Sequence, residues 1–306
     1  MDAAFRRWRA GGGARGRAVG AHPAAGTPAH RPGGLVRRAD PLDAWRRRQA
    51  GRRCRVILVV AGATFREAVR SRAFLGLLAI FALAALATRV VGWISATDGN
   101  LVSLDLIMSL QSIIGVLVAV ATGTVLVQNE IQQKTLYTVL CRPLPRWRFV
   151  VGKFAGLSGA LVLGQLAMAV IGLGWMWITG APLNLWLALA VAMTCLEVLV
   201  MAAVGLCLSM LAGPLLSAVL CLAVYALGHA VATLPELIDH LEGWQRTMAA
   251  AGAAIVPNLG YFTFRGQAIH GHAMTASDVL QSLGYAALWI ALLVTIAIAV
   301  FRRKQL

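Results

Sequence analysis

Charge is what this sequence has least of. Only 13% of its 306 residues are Asp, Glu, Lys or Arg, against about 25% in soluble globular domains, which excludes a fold wetted on every side. Acid is scarcer than base. Twelve Asp and Glu face 28 Lys and Arg, for a formal net charge of +16. The five cysteines, Cys54, Cys141, Cys195, Cys207 and Cys221, contain no C-x-x-C pair. Their scatter excludes a disulfide scaffold, and three of them read as small packing residues inside apolar stretches. No GxxxxGK[ST] stretch occurs, so this chain is not itself an ATPase of the phosphate-loop type. No apolar run follows Arg6-Arg7 either, which excludes a secretory signal there. What is abundant is apolar: 59% of residues are hydrophobic and mean hydropathy is +0.73. Together these point to an integral membrane protein, and the placing of its base decides the topology.

The first 55 residues hold 14 Arg, with Asp2, Asp40 and Asp43 as their acids. This stretch is rich in Gly, Ala, Pro and Arg and lacks apolar periodicity. It cannot bury enough surface to offset the entropy of ordering, and reads as a disordered basic tail. A solvated extension or contact with anionic lipid accounts for it, and nucleic acid is not expected as a partner.

A helix crossing the ~30 Å hydrocarbon core needs about 20 mostly apolar residues. Six stretches qualify: 74–96, 104–127, 151–178, 185–211, 214–234 and 280–301. The expected fold is therefore all-α, with six transmembrane helices in a domain over 56–306. The apolar stretch 248–256 is too short to cross and reads as re-entrant or interfacial. Even span number places both ends on one side, and 25 of the 28 Lys and Arg then share that side. The opposite loops hold Asp98, Glu236, Asp239, Glu242 and Asp278. By the positive-inside rule both termini are expected in the cytoplasm.

Two segments outside the spans carry pattern. Residues 56–72 mix an apolar run, Phe65, Ala68 and Val69 with Arg66, Glu67, Arg70 and Arg72. That mix suits an amphipathic helix lying in the membrane interface. Between the second and third spans, Leu136, Val139 and Leu140 fall at helical spacing until Pro143 ends the pattern. Flanked by base and by Trp147, this loop reads either as a docking element for a soluble partner or as ordinary positive-inside anchoring.

Four blocks, in order, resemble the ABC-2 type transporter permeases. They are Thr64-Phe65-Arg66-Glu67-Ala68-Val69-Arg70-Ser71-Arg72; Glu130…Lys134-Thr135-Leu136…Leu140…Arg142-Pro143…Arg146…Gly152-Lys153; Pro257-Asn258-Leu259…Phe262…Arg265-Gly266-Gln267-Ala268; and Arg302-Arg303. Among these permeases the NosY-like subgroup is the most similar. The resemblance implies a permease that pairs with a second copy or a paralogue in the cell (inner) membrane. It implies that ATP and magnesium bind a separate ATPase subunit, with no cofactor on this chain and export as the expected direction. Glu130, Lys134, Thr135, Leu136, Arg142, Pro143 and Arg146 would lie at the coupling contact with that subunit. Residues 64–72 would form the interfacial elbow helix, and 235–279 the external re-entrant region.

Polar residues inside the spans are the remaining signal. Glu197 sits near the middle of the fourth span, where a carboxylate costs about 2.5–3.5 kcal/mol on insertion scales. It either lines a translocation path or is held, protonated, by Gln165 at similar depth on the third span. An ATP-independent channel or ion-coupled carrier using Glu197 is the alternative function. Arg89 is expected to snorkel outward or to pair with Asp105. Gly156-Leu157-Ser158-Gly159 spells an intramembrane-protease tetrapeptide with His229 as a base. Their depths differ by over about 10 Å, which excludes the required contact. Gly152, Gly156, Ala160 and Gly164 instead make a small-residue ridge for helix packing, and Gly205, Ser209 and Gly213 another. His270, His272 and Met274 are weak candidates for a copper-type site, lacking a third anchor.

Overall fold

The structure, a computed structural model, describes residues 57–94, 99–132, 146–181, 184–238, 244, 256–269 and 275–303. Among these residues all regular structure is helical. A helix over 57–69, α1, is followed by α2 (Arg72–Ile94), α3 (Gly99–Gln132), α4 (Arg146–Ile178), α5 (Leu185–Leu211) and α6 (Pro214–Ile238). A 3-10 turn (Leu259–Phe262), the short α7 (Arg265–Ile269) and α8 (Ala276–Arg303) complete the described chain. Six of the helices, α2 to α6 and α8, are long and apolar enough to cross a membrane, and the protein is a multi-pass membrane protein. The fourth expected span, 185–211, coincides with α5. Others run longer than composition indicates: α3 continues to Gln132 and α4 opens at Arg146. Helical hydrogen bonding continues past the hydrocarbon edge until a cap or proline stops it, and hydropathy registers only the edge.

The caps are local chemistry. Ser71 separates α1 from α2, and its hydroxyl accepts the Phe74 N–H at 3.1 Å. Gly180, at φ 76°, ends α4 in the left-handed region, with Ala181 N–H bonded to the Met176 carbonyl at 3.0 Å and Gly180 N–H to Trp177 at 3.1 Å. Only glycine takes that conformation without a Cβ penalty. Asn184 then caps α5 by accepting the Leu187 N–H at 3.1 Å. Pro214 opens α6, where its missing N–H leaves nothing unpaired.

The fifth helix is the axis of the bundle. The apolar part of α5 is 67% buried, against 22% for α2 and α6 and 11% for α8. It packs on α3, α4, α6, α7 and α8, so the peripheral helices present apolar faces to lipid. Trp93 and Trp177, near the ends of α2 and α4, are both exposed, as interfacial tryptophans are.

The glycine ridge on α4 receives α1. A Cβ added at Gly152 would lie 3.1 Å from the Ile57 carbonyl oxygen and from Val60 Cβ. One added at Gly156 would collide with the Ala61 carbonyl oxygen and sit 2.8 Å from Thr64 Cβ. The side of α1 that holds Thr64 and Ala68 is buried, while Arg66 and Arg70 are exposed. That side of α1 packs on α4, while Leu58 and Val59 on its other side stay exposed alongside the arginines. Helical spacing gives a face but not its partner. Farther along, a Cβ added at Gly164 would lie 3.0 Å from the Phe74 ring. In the second ridge, a Cβ added at Gly205 would lie 3.5 Å from Cys221 Sγ, while one at Gly213 would meet nothing within 4 Å. A separate apolar cluster ties the Arg146 end of α4 to α5 and α8 through Val150, Leu206, Met210, Ala297 and Phe301. There Phe149 stacks on Phe301 with centroids 5.9 Å apart.

Candidate functional site

An apolar helix with one acid at its middle must give that acid partners. On α5 the acid is Glu197, only 3% exposed. Its Oε1 lies 2.9 Å from His229 Nε2 on α6. The Ser112 hydroxyl on α3 donates to both carboxylate oxygens, at 3.2 and 3.1 Å. Ser112 Oγ is also 3.3 Å from the Tyr225 hydroxyl. Tyr225 and His229 stand one turn apart on α6, and their rings meet edge to face at 4.8 Å. The hydrogens are all used when Tyr225 donates to Ser112, Ser112 to Glu197, and the His229 N–H to Glu197. That assignment follows from the donor inventory and makes the carboxylate the acceptor end of the chain.

These groups form the polar wall of a cleft of about 320 Å³ between α3, α5 and α6. Met108, Ile113 and Phe262 supply apolar wall, and Arg265 also lines it. Arg265 donates to the Ser109 hydroxyl at 2.6 Å and stands 3.5 Å from the Asp105 carboxylate. At 43% and 52% exposure, Arg265 and Asp105 mark the wet rim.

The segment 256–269 brings Phe262 and Arg265 to the cleft. Asn258 starts its 3-10 turn by accepting the Gly260 N–H at 2.9 Å, and its own N–H donates to the Tyr285 hydroxyl at 2.7 Å. Ser282 donates to the Tyr261 carbonyl at 2.7 Å. Asn184, besides capping α5, donates through Nδ2 to the Ala268 carbonyl at 2.9 Å. Gly228 on α6 permits the approach, because a Cβ there would lie 2.7 Å from the Pro257 carbonyl oxygen. The segment is thereby fastened to α5, α6 and α8 with its polar residues over the cleft.

Several expectations change here. Gln165 does not hold Glu197; it pairs with Gln111 on α3, whose Nε2 donates to Gln165 Oε1 at 3.0 Å. The two Gln residues form a second, fully buried polar contact. The reason is rotational: similar depth says nothing about which side of the helix a side chain leaves. Arg89 donates to Asn100 Oδ1 at 2.7 Å, not to Asp105, which meets Arg265 instead. Ser158 Oγ is buried without a hydrogen-bond partner, and the His229 nitrogen goes to Glu197, so no protease pair assembles.

Of the coupling candidates, Glu130 lies in the last turns of α3 and Arg146 opens α4. Lys134, Thr135, Leu136, Arg142 and Pro143 lie outside the described residues, as do His270, His272 and Met274. Among the described residues no group of three or more His, Cys, Asp or Glu is placed to hold a metal ion. Ser112, Tyr225 and Arg265 were missed as site residues. The available signal was three polar side chains flanking membrane-depth positions near an unpaired central acid.

A sequence profile described as ABC-2 family transporter protein matches residues 58–306. No curated protein matches the chain.

Proposed function

The chain belongs to the ABC-2 family of transporter proteins and is a membrane permease, and on that premise we propose how it works. Two permease chains, identical or paralogous, pair in the cell (inner) membrane with both termini of each in the cytoplasm. A separate ATPase subunit binds Mg-ATP and docks on the tract between α3 and α4. Its cycle switches the spans and drives export. In this reading the chain is a permease of the NosY-like kind, with residues 1–55 a basic extension preceding the transmembrane domain of 56–306.

One observation carries the docking reading. The apolar run of α3 ends at Val127, yet the helix runs on to Gln132, roughly 8 Å farther at 1.5 Å per residue. With α4 opening at Arg146, two helices stand proud of the hydrocarbon on either side of the basic tract. A protruding helical pair is a stiff handle for a soluble partner. The docking residues are Glu130, Lys134, Thr135, Leu136, Arg142, Pro143 and Arg146, and Glu197 with its cleft belongs to the substrate path.

Affinity capture of this chain from native membranes is expected to recover an ATP-binding subunit. Arg142→Glu and Arg146→Glu are expected to lower ATP-coupled transport severalfold while gel-filtration behaviour stays that of the wild type. Full coupling in both variants would overturn the docking assignment. The second reading, an ion-coupled carrier, is favoured by the Glu197–His229 contact. It requires transport driven by an ion gradient without nucleotide and abolished by Glu197→Gln.

A further inference from the structure

The cleft has a chemical bias that family membership does not supply. Among the described residues lining it, Glu197 and Arg265 are the ones with a formal charge. Arg265 is already shared between the Asp105 carboxylate at 3.5 Å and the Ser109 hydroxyl at 2.6 Å. His229 is already engaged, with its Nε2 2.9 Å from Glu197 Oε1. With Arg265 and His229 both engaged, the Glu197 carboxyl is the acceptor left to meet a ligand in the cleft. Its Oε1 accepts from both Ser112 and His229, while Oε2 accepts from Ser112 alone, so Oε2 retains acceptor capacity. Around it stand the Tyr225 and Phe262 rings, whose faces attract cations, and the Met108 thioether. An anion entering here would have to compete with Asp105 and Ser109 for Arg265 at the rim and would meet an acceptor, not a donor, in Glu197 Oε2.

We propose that this cleft binds a small organic cation, an amine or quaternary ammonium head set against Glu197 with its apolar body on Met108, Ile113 and Phe262. The proposal rests on the permease reading and names the substrate class of that site. The volume of about 320 Å³ falls at the small end of ligand pockets, so the cation is a compact one rather than a polymer or a whole lipid. Ser112 and His229 hold the carboxylate in place before the ligand arrives, so little ordering is left for the binding step.

The test uses the purified full chain in an uncharged maltoside detergent, without nucleotide or ATPase. Titration with benzyltrimethylammonium is expected to give saturable binding. Displacement by phenylmethanesulfonate or benzyl alcohol, of similar size but anionic or neutral, is expected to need at least about tenfold higher concentration. Glu197→Gln, close in shape, is expected to weaken cation binding by about tenfold or more. Ile113→Trp, filling the cleft from a half-exposed position, is expected to block binding without altering elution. The competition series needs no variant, so a misfolded mutant does not shelter the idea. Equal displacement by the sulfonate, or wild-type affinity in a folded Glu197→Gln, would overturn it. If the cation fails to bind while capture still yields an ATPase subunit, the substrate assignment falls and the permease reading stands.

Discussion

Glu197 and His229 lie 32 positions apart in sequence and meet at 2.9 Å inside an otherwise apolar bundle. Each leaves the other a reason to be there. The carboxylate needs a donor at membrane depth, and the imidazole fixes its ring against that carboxylate. Removing one partner strands the other, so their substitutions are expected to be non-additive. Glu197→Gln and His229→Gln should each lower the midpoint of detergent-induced unfolding. The double variant should lose less than the sum, by about 0.5–2 kcal/mol. Strict additivity would mean that the contact carries no coupling.

The seam between α1 and α4 makes a sharper contrast. A side chain at Gly156 has no room beside the Ala61 carbonyl, whereas a Cβ at Gly76 on α2 meets nothing within 4 Å. Gly156→Val is expected to cost about 1–3 kcal/mol and to expose α1 to limited proteolysis. Gly76→Ala is expected to leave both readouts unchanged. Proteolysis of α1 at the wild-type rate in Gly156→Val would show that the helix does not depend on this contact.

The buried amides should behave as a pair. Gln165→Leu leaves Gln111 with its donors unpartnered in an apolar setting, which costs about 1–3 kcal/mol. Adding Gln111→Leu removes the orphaned group and is expected to recover most of that loss. The measurement is again unfolding in mixed micelles; a double variant worse than either single one would refute the account.

At the rim the expectation is the reverse. Arg265 and Asp105 are both about half exposed and 3.5 Å apart. Such pairs contribute 0 to about 1 kcal/mol. Asp105→Asn should therefore leave the melting temperature within about 2 °C of wild type. A larger drop would show that the pair holds the 256–269 segment down.

The sequence told a good deal about this fold, for a physical reason that also sets its limit. Span length is dictated by bilayer thickness, so Leu185–Leu211 could be bounded to the residue from hydropathy. Glycines at spacing four along α4 announced a packing ridge before its partner was visible. Depth was equally legible, and it placed Gln165 and Glu197 at one level. Azimuth was not. An almost uniformly apolar helix has little hydrophobic asymmetry, so nothing in the sequence says that Gln165 leaves toward Gln111 and Glu197 toward Ser112 and His229. Arg265 was hidden for another reason. It reaches the cleft through a 3-10 turn held by Asn258, Tyr285 and Ser282, long-range contacts with no periodicity to announce them.

The two contacts at the Arg146 end of α4 bear on how force would travel. On one side Gly152 and Gly156 lock α1 against α4; on the other, Val150 and the Phe149–Phe301 stack bind it to α5 and α8. Close-packed contacts of this kind do not slide independently over small distances. A displacement applied just ahead of Arg146 therefore cannot stay in one helix. It is shared at once by four, among them the helix that holds Glu197, and α4 works as a yoke rather than as a single rod.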